Sequence, residues 1–216
     1  MKLCVIGGAG ARSAFLTKSL VKSARDIRVD HIVLLDNDQQ KLKTYGEISR
    51  ELARRLDPDL TFEVTSDARA ALTGVDYIIT TIRAGEDAGR LFDEQTCLAH
   101  GVLGQETTGA GGFAMAIRSV PTLVYYCTLA REVANPGHLI FNFTNPSGII
   151  TQALRSKGFD NVYGICDAPS GFIKQLEEIL EIPYGTLDIE CYGLNHLSWF
   201  RNAKVNGRDV QRELLD

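Results

Sequence analysis

Short apolar runs alternate with amphipathic stretches along most of the chain. Residues 2–6, 31–35, 77–82, 138–143 and 162–166 are nearly continuous apolar runs of strand length, and residues 61–65 form a further short strand. Uniformly apolar strands belong in a sheet covered on both faces. Between them, residues 14–24, 38–56, 68–72, 119–134, 148–157 and 170–180 carry helical spacing. In residues 38–56, Leu42, Tyr45, Ile48, Leu52 and Leu56 are spaced for one helical face. Asn135-Pro136-Gly137 stops the helix before it. This order predicts an α/β fold, a doubly wound, Rossmann-like parallel sheet of six strands with helices on both faces. Residues 84–112 are rich in Gly, Glu and Thr and read as a functional loop with a helix inside. From Leu187 the pattern changes. Residues 187–194 and 199–205 read as strands, Asn206-Gly207 as a hairpin-like turn, and 209–216 as the start of a helix. The expected division is one domain over 1–186 and the beginning of a second, mixed α+β domain over 187–216.

Composition narrows the partners. The chain has 216 residues, 44% of them hydrophobic, enough for one large domain or for one plus part of another. The net charge is -4 and no long basic run occurs, which argues against nucleic acid and against an anionic membrane surface. No purely apolar stretch approaches the roughly 20 residues of a membrane span, and the apolar start reaches Gly7 too soon for a signal peptide. The five cysteines are odd in number and form no C-x-x-C pair, which points to reduced thiols and a cytoplasmic protein. Cys4, Cys97, Cys127 and Cys191 read as packing residues.

Gly8-Ala9-Gly10-Ala11-Arg12-Ser13 follows the first strand and opens the first helix, fitting G-x-G-x-x-S. Gly8 is expected to make the tight turn, Gly10 to let the backbone approach a pyrophosphate, and Arg12 to flank it, with the helix N–H groups facing the phosphate. Asp36 ends the second strand, 23 residues after Ser13, near the position of a carboxylate that binds ribose hydroxyls. An acid there favours NAD over NADP. Asp36 reads equally as a helix N-cap, a role open to Asp38 as well. The nucleotide reading makes residues 1–186 an NAD-binding domain.

Further along stand Cys166 and His196, 30 residues apart. A thiolate and an imidazole suit a transition metal, their spacing is not that of a structural zinc site, and two protein ligands leave room for substrate oxygens. Each reads alternatively as a packing or polar-network residue. Arg83 ends the fourth strand, where a guanidinium suits a phosphate or is a plain solvated charge, and Arg90 beyond it reads on its own as a solvated loop charge. Asp167 reads as an acid or as a helix N-cap before Pro169, and Asn142 and Asn145 as binding amides or as turn residues around Pro146. Glu106 is a further acid near the cofactor, Trp199 a sugar platform or a core residue, and His31, His100 and His138 are structural or surface residues.

The segments Gly104-Gln105-Glu106-Thr107-Thr108-Gly109, Asn142-Phe143-Thr144-Asn145-Pro146, Cys166-Asp167-Ala168-Pro169 and Gly193-Leu194-Asn195-His196 occur in order, and with them the chain resembles glycoside hydrolase family 4. That family departs from the usual two-carboxylate hydrolysis and depends on NAD and a divalent metal, manganese foremost. The resemblance implies a cycle. The hydroxyl at sugar carbon 3 is oxidised by NAD, the acidified proton on carbon 2 is removed, and the group on carbon 1 leaves by elimination. Water then adds and the hydride returns, with the metal acting as a Lewis acid at the oxygens of carbons 2 and 3. It implies Cys166 and His196 as metal ligands, Asp167 as general acid, Asn145 and Arg90 as substrate contacts, and Arg83 and Asn142 beside the cofactor.

Asp167 after Cys166 resembles members acting on phosphorylated sugars, where others carry histidine. Ala168 matches neither common pattern, and general similarity favours a 6-phospho-β-glucosidase over a 6-phospho-α-glucosidase. The resemblance also implies a homo-oligomer (dimer or tetramer). Family members run to about twice this length and take their base, a tyrosine, from the second half, so this chain is expected to be the first half of the enzyme. Two other readings are a lactate/malate-type NAD dehydrogenase and an inactive NAD-binding fragment.

Overall fold

The computed structural model describes residues 1–215. The elements, in order, are β1 (Lys2–Ile6), α1 (Ser13–Ser23), β2 (His31–Leu35), α2 (Gln39–Lys41), a π turn (Leu42–Gly46), α3 (Glu47–Leu56), β3 (Thr61–Thr65), α4 (Ala68–Leu72), β4 (Tyr77–Thr80), α5 (Glu86–Ala99), α6 (Gly109–Val133), β5 (Leu139–Asn142), α7 (Ser147–Ser156), β6 (Val162–Gly164), α8 (Ala168–Ile179), β7 (Leu187–Leu194), β8 (Leu197–Val205) and β9 (Arg208–Asp209). Six parallel strands run in the order β3-β2-β1-β4-β5-β6, and β7-β8-β9 form a separate antiparallel sheet. The large sheet is the expected doubly wound order, with its switch between β1 and β4.

Alternation along each strand sorts the core. Cys4, Ile6, Val33, Leu35, Ile78 and Ile140 face one side, under Leu72 of α4, Leu123 and Cys127 of α6, and Ile150 and Leu154 of α7. Leu3, Val5, Ile32 and Leu34 face the other, against Val21 of α1 and Ala53 of α3. Right-handed crossovers place the two helix sets on opposite faces. Cover on that second face is incomplete. Beyond Ile79 it continues as Phe141 and Tyr163, whose rings lie 6.4 Å apart, and Tyr163 is half exposed. The next helix, α8, does not return to this face. Its Leu176 packs instead with Leu187, Ala203 and Val210 of the small sheet. Packing therefore groups α8 with β7–β9 in one cluster.

Three local expectations change. Within 38–56 the π turn shifts the register, so Leu42, Gly46, Ser49 and Ala53 are buried while Tyr45, Ile48 and Leu56 are exposed. Gly46 is required because an added Cβ would sit 2.6 Å from Val64 Cγ1. Helix α6 starts ten residues earlier than residue 119, at Gly109, and contains Pro121. Its early glycines allow close approach: a Cβ on Gly111 would lie 2.5 Å from the Gln105 carbonyl oxygen. By length and composition α6 could cross a membrane, but Leu123 and Ala130 are fully buried against the sheet. Finally, the turn joining β7 to β8 is Asn195-His196, with His196 at φ +61°, and β8 begins at Leu197. Asn206-Gly207 makes the next turn, into β9. Residues 211–215 form turns rather than the expected helix, and Asp216 lies outside the described residues.

Candidate active site

The C-terminal ends of β1, β4, β5 and β6 converge on one edge, and every strand there is shorter than or equal to its apolar run, releasing polar residues into loops. After β1, the N–H groups of Gly7 and Gly8 both donate to the Leu35 carbonyl, at 2.8 and 3.0 Å. Gly7, at φ +83°, makes the turn that was expected of Gly8. Gly8 serves close packing, since a Cβ there would lie 2.9 Å from both Leu34 Cβ and the Val5 carbonyl. A Cβ on Gly10 would meet no protein atom within 4 Å, so the loop is open on the side where a pyrophosphate fits. Ser13 closes the loop through its N–H and Oγ to the Gly10 carbonyl, at 2.9 and 2.6 Å. Arg12 is exposed at the start of α1 and makes no capping hydrogen bond.

Asp36 does not cap a helix. One of its oxygens accepts from Ala9 N–H at 3.1 Å and the other from Asp38 N–H at 3.1 Å, so it ties the glycine loop to the end of β2. Asp38 is the cap, accepting from the N–H groups of Gln40 and Lys41.

Asn142, expected beside the cofactor, is 0% exposed. Its Oδ1 accepts from Thr80 Oγ1 at 2.8 Å, and its Nδ2 faces the Thr144 carbonyl at 3.2 Å, the Ser147 carbonyl at 3.4 Å and Thr151 Oγ1 at 3.2 Å. A buried carboxamide engaged in this way fixes the loop between β5 and α7. Thr80 and Thr144, which the sequence did not flag, complete that buried network, and Thr144 Oγ1 accepts from Ile82 N–H. Asn145 lies at the loop's surface, followed by a cis bond to Pro146, and only its Oδ1 is used, by Ser147 N–H at 3.4 Å.

Neither Arg83 nor Arg90 is a free solvated charge. Glu106 sits between them, bonded to Arg83 Nη1 and 3.4 Å from Arg90 Nε, which also donates to Glu94 at 2.7 Å. Burial pushes the Glu106 carboxyl up, but the Arg83 hydrogen bond and the charges of Arg83, Arg90 and His196 together hold it below the usual glutamate value. The remaining guanidinium donors stay available to an anion. A second pair braces this cluster. Arg118 on α6 grips Asp93 of α5 with two hydrogen bonds and donates to the Ala84 carbonyl at 3.3 Å. Gly85 and Gly89 leave it room, since a Cβ on either would lie within 3.3 Å of the guanidinium.

Cys166 follows β6 and His196 occupies the β7–β8 turn, and Cys166 Sγ lies 3.6 Å from His196 Nε2. The Ala168 N–H, at the start of α8, also points to the sulfur, at 3.5 Å. With zinc-type bonds of roughly 2.3 Å to sulfur and 2.0–2.1 Å to nitrogen at a tetrahedral angle, the two donors would be about 3.6 Å apart. The separation thus fits a shared divalent cation. Among the described residues no group of three or more His, Cys, Asp and Glu forms a metal cluster. The remaining ligand positions would fall to water or substrate oxygens, an open arrangement. Asp167 takes the N-cap position of α8 without a side-chain capping bond, so its exposed carboxylate is free. It lines a cavity of about 500 Å³ together with His196, Ser198, Gln175 and Phe172. On the other side of Cys166 a cavity of about 730 Å³ is lined by Ser147, Thr151, Gln152, Arg155 and Asn195. Asn195 Oδ1 is buried there without a partner.

The chain as a whole is similar to proteins of known activity. The 6-phospho-beta-glucosidase BglT of Thermotoga maritima is 34% identical over 218 residues, covering 100% of this chain and 51% of its own length. A solved 6-phospho-alpha-glucosidase from gut microorganisms, in complex with NAD and Mn2+, superimposes with a TM-score of 0.92 at 31% identity, over 99% of this chain and 49% of its own. The Thermotoga maritima 6-phospho-beta glucosidase with manganese, NAD+ and glucose-6-phosphate gives 0.88 at 34% identity, over 99% and 52%. The chain spans about half the length of these relatives. A lactate dehydrogenase from Eimeria maxima reaches a TM-score of 0.67 at 14% identity, a likeness of fold alone. The sequence profile of the family 4 glycosyl hydrolases matches residues 2–182. The chain belongs to that family.

Proposed function

We propose that this chain is the nucleotide- and metal-binding part of a 6-phospho-β-glucosidase that cleaves 6-phosphorylated glucosides by oxidation, elimination, water addition and reduction. The observation that carries the reading is the 3.6 Å approach of Cys166 Sγ to His196 Nε2, beside the glycine loop's edge of the sheet. In this reading Gly8, Gly10 and Arg12 border the NAD pyrophosphate, and Asp36 faces the ribose while tethering the loop. Arg83 and Arg90 take the sugar phosphate with the donors that Glu106 leaves free. Asn145 orients the sugar, and Cys166 and His196 hold a divalent cation, manganese in the first instance. Asp167 gives its proton to the oxygen that leaves carbon 1. When bound, NAD supplies a reversible hydride acceptor and the cation a Lewis acid for the oxygens on carbons 2 and 3.

The residues balance the cycle. The hydride lost from carbon 3 returns to it, the proton lost from carbon 2 is replaced from solvent, and water replaces the leaving group. NAD is therefore not consumed. Relatives of similar identity include enzymes for both anomers, so the β assignment rests on BglT, and a phospho-alpha-glucosidase of Clostridium acetobutylicum at 33% identity is the alternative. We further infer a reducing, cytoplasmic setting, because the site depends on a free thiol and all five cysteines are unpaired, and a homo-oligomer (dimer or tetramer).

The test uses the full-length protein with NAD and Mn2+. Release of p-nitrophenol from its β-linked 6-phosphoglucoside, abolished by chelator, supports the proposal. Release from the α-linked isomer alone reassigns the anomer, and release that persists with chelator removes the metal from the account.

A further inference from the structure

Glu177 is 2% exposed on α8, far from the sheet edge, and nothing in the proposed reaction uses it. Its Oε1 accepts three backbone N–H groups in a row: Gly185 at 2.8 Å, Thr186 at 2.9 Å and Leu187 at 3.0 Å. Those residues end the α8–β7 loop and begin β7. Its Oε2 is buried with no partner. A carboxylate placed this way is costly to bury, and a hydrogen-bonded turn needs no charge to form. Charge-assisted bonds from three consecutive amides do give the loop a single, stiff geometry.

The geometry of α8 and the hairpin shows what that stiffness controls. Helix α8 starts directly after Cys166 and Asp167 and runs away from them for 12 residues, about 18 Å. The loop reverses, and the 8 residues of β7 run back, about 26 Å. His196 in the turn then meets Cys166. Between the two ends, the rings of Phe172 on α8 and Phe200 on β8 pack at 4.7 Å, and Leu176 packs with Leu187 and Ala203. The donor pair is thus at the tip of a two-armed unit whose base is the Glu177 nest. Tilting the hairpin by a few degrees about that base moves its tip by on the order of 1 Å. Metal sites tolerate roughly 0.2 Å in ligand distance.

We propose that Glu177 is a positioning residue for the metal site: its buried carboxylate locks the base of the β7–β8 hairpin to α8 and thereby sets the separation of Cys166 and His196. The proposal rests on the reading that this pair holds a cation.

The experiment titrates Co2+ into full-length wild type, Glu177→Gln and Glu177→Ala. It follows the thiolate-to-cobalt charge-transfer absorption and, separately, NAD affinity. The expected result is a charge-transfer band in the wild type, cobalt binding weakened about tenfold in Glu177→Gln and further in Glu177→Ala, and NAD affinity unchanged within twofold in both. If Glu177→Ala does not fold, Glu177→Gln decides, because it keeps the acceptor oxygen and the side-chain shape. Unchanged cobalt affinity and band in Glu177→Gln overturn the proposal while leaving the metal reading intact. Parallel loss of cobalt and NAD binding also overturns it, since that is general destabilisation. A wild type with no thiolate band overturns the metal reading and this proposal with it.

Discussion

The large parallel sheet and the α8–hairpin unit are built on different terms. The sheet buries both faces of β1 and β2, with Cys4, Val5, Ile32, Val33 and Leu34 at 0% exposure, and its glycine loop is held by backbone hydrogen bonds to Leu35. The small unit has a buried hydrophobic cluster of four residues, Leu176, Leu187, Ala203 and Val210, and its hairpin shows Tyr192, Leu194, Leu197 and Trp199 to solvent. The candidate nucleotide cradle therefore lies within the parallel sheet alone, whereas the candidate metal site joins that sheet to the small unit. Cys166 belongs to the end of the sheet and His196 to the hairpin, so cation geometry depends on how the second unit sits on the first.

This contrast can be broken at several points. The largest effect is expected from Cys166→Ser, which removes the ligand on the sheet side. Cation affinity should fall on the order of 100-fold or more, since even residues behind metal ligands are worth 10–100-fold. NAD affinity, measured in parallel by fluorescence, should stay within a factor of two, because the cradle lies in the other core. Joint loss of both would show that the two sites are one. Next comes Asp93→Asn. Asp93 is 5% exposed beneath Arg118, and breaking that pair should cost about 2–4 kcal/mol in a denaturant titration. It should also weaken phosphosugar binding by loosening the α5 segment that carries Arg90.

Two glycines sharpen the account of the cradle. Gly8→Ala should lose about 1–3 kcal/mol of stability, because its Cβ would collide with Leu34 and the Val5 carbonyl. Gly10→Ala should leave stability unchanged and weaken NAD, because that Cβ meets no protein atom. Equal stability losses would contradict the division of roles. The smallest effect concerns pH. The folded Glu106 carboxyl is held below its ordinary value, so it binds its proton less readily than in the unfolded chain. Its stabilisation is complete above the ordinary glutamate pKa of roughly 4.3 and is lost as pH falls through the lower folded value. Glu106→Gln should flatten the acid limb of unfolding free energy against pH by less than about 1 kcal/mol, because the cluster remains within reach of water.

The sequence carried the parts of the fold that repeat locally. Apolar runs, the glycine turn and Asn135-Pro136-Gly137 each encode their geometry in neighbouring residues, and β1 to β6 fall where the pattern puts them. The pairing of Cys166 with His196 was legible only as a set of motifs, since 30 residues and a helix separate them. What stayed hidden depends on distant contacts. The π turn before α3 answers to Val64, and the glycine-rich start of α6 answers to the backbone of 105–107. The resemblance put Asn142 beside the cofactor, but only the fold shows its side chain buried and bonded to Thr80 on the neighbouring strand. Glu177 gave no signal at all: one glutamate on an amphipathic helix resembles any solvated charge until the α8–β7 loop folds over it.

The most direct test of oxidation and elimination follows the hydrogen on carbon 2. Full-length protein with NAD and Mn2+ would cleave a 6-phosphoglucoside in deuterated water, and the glucose 6-phosphate released would be analysed by mass and by NMR. The account predicts one solvent deuterium at carbon 2 of every product molecule, and no product from Cys166→Ser. Product that retains the original hydrogen at carbon 2 would contradict it.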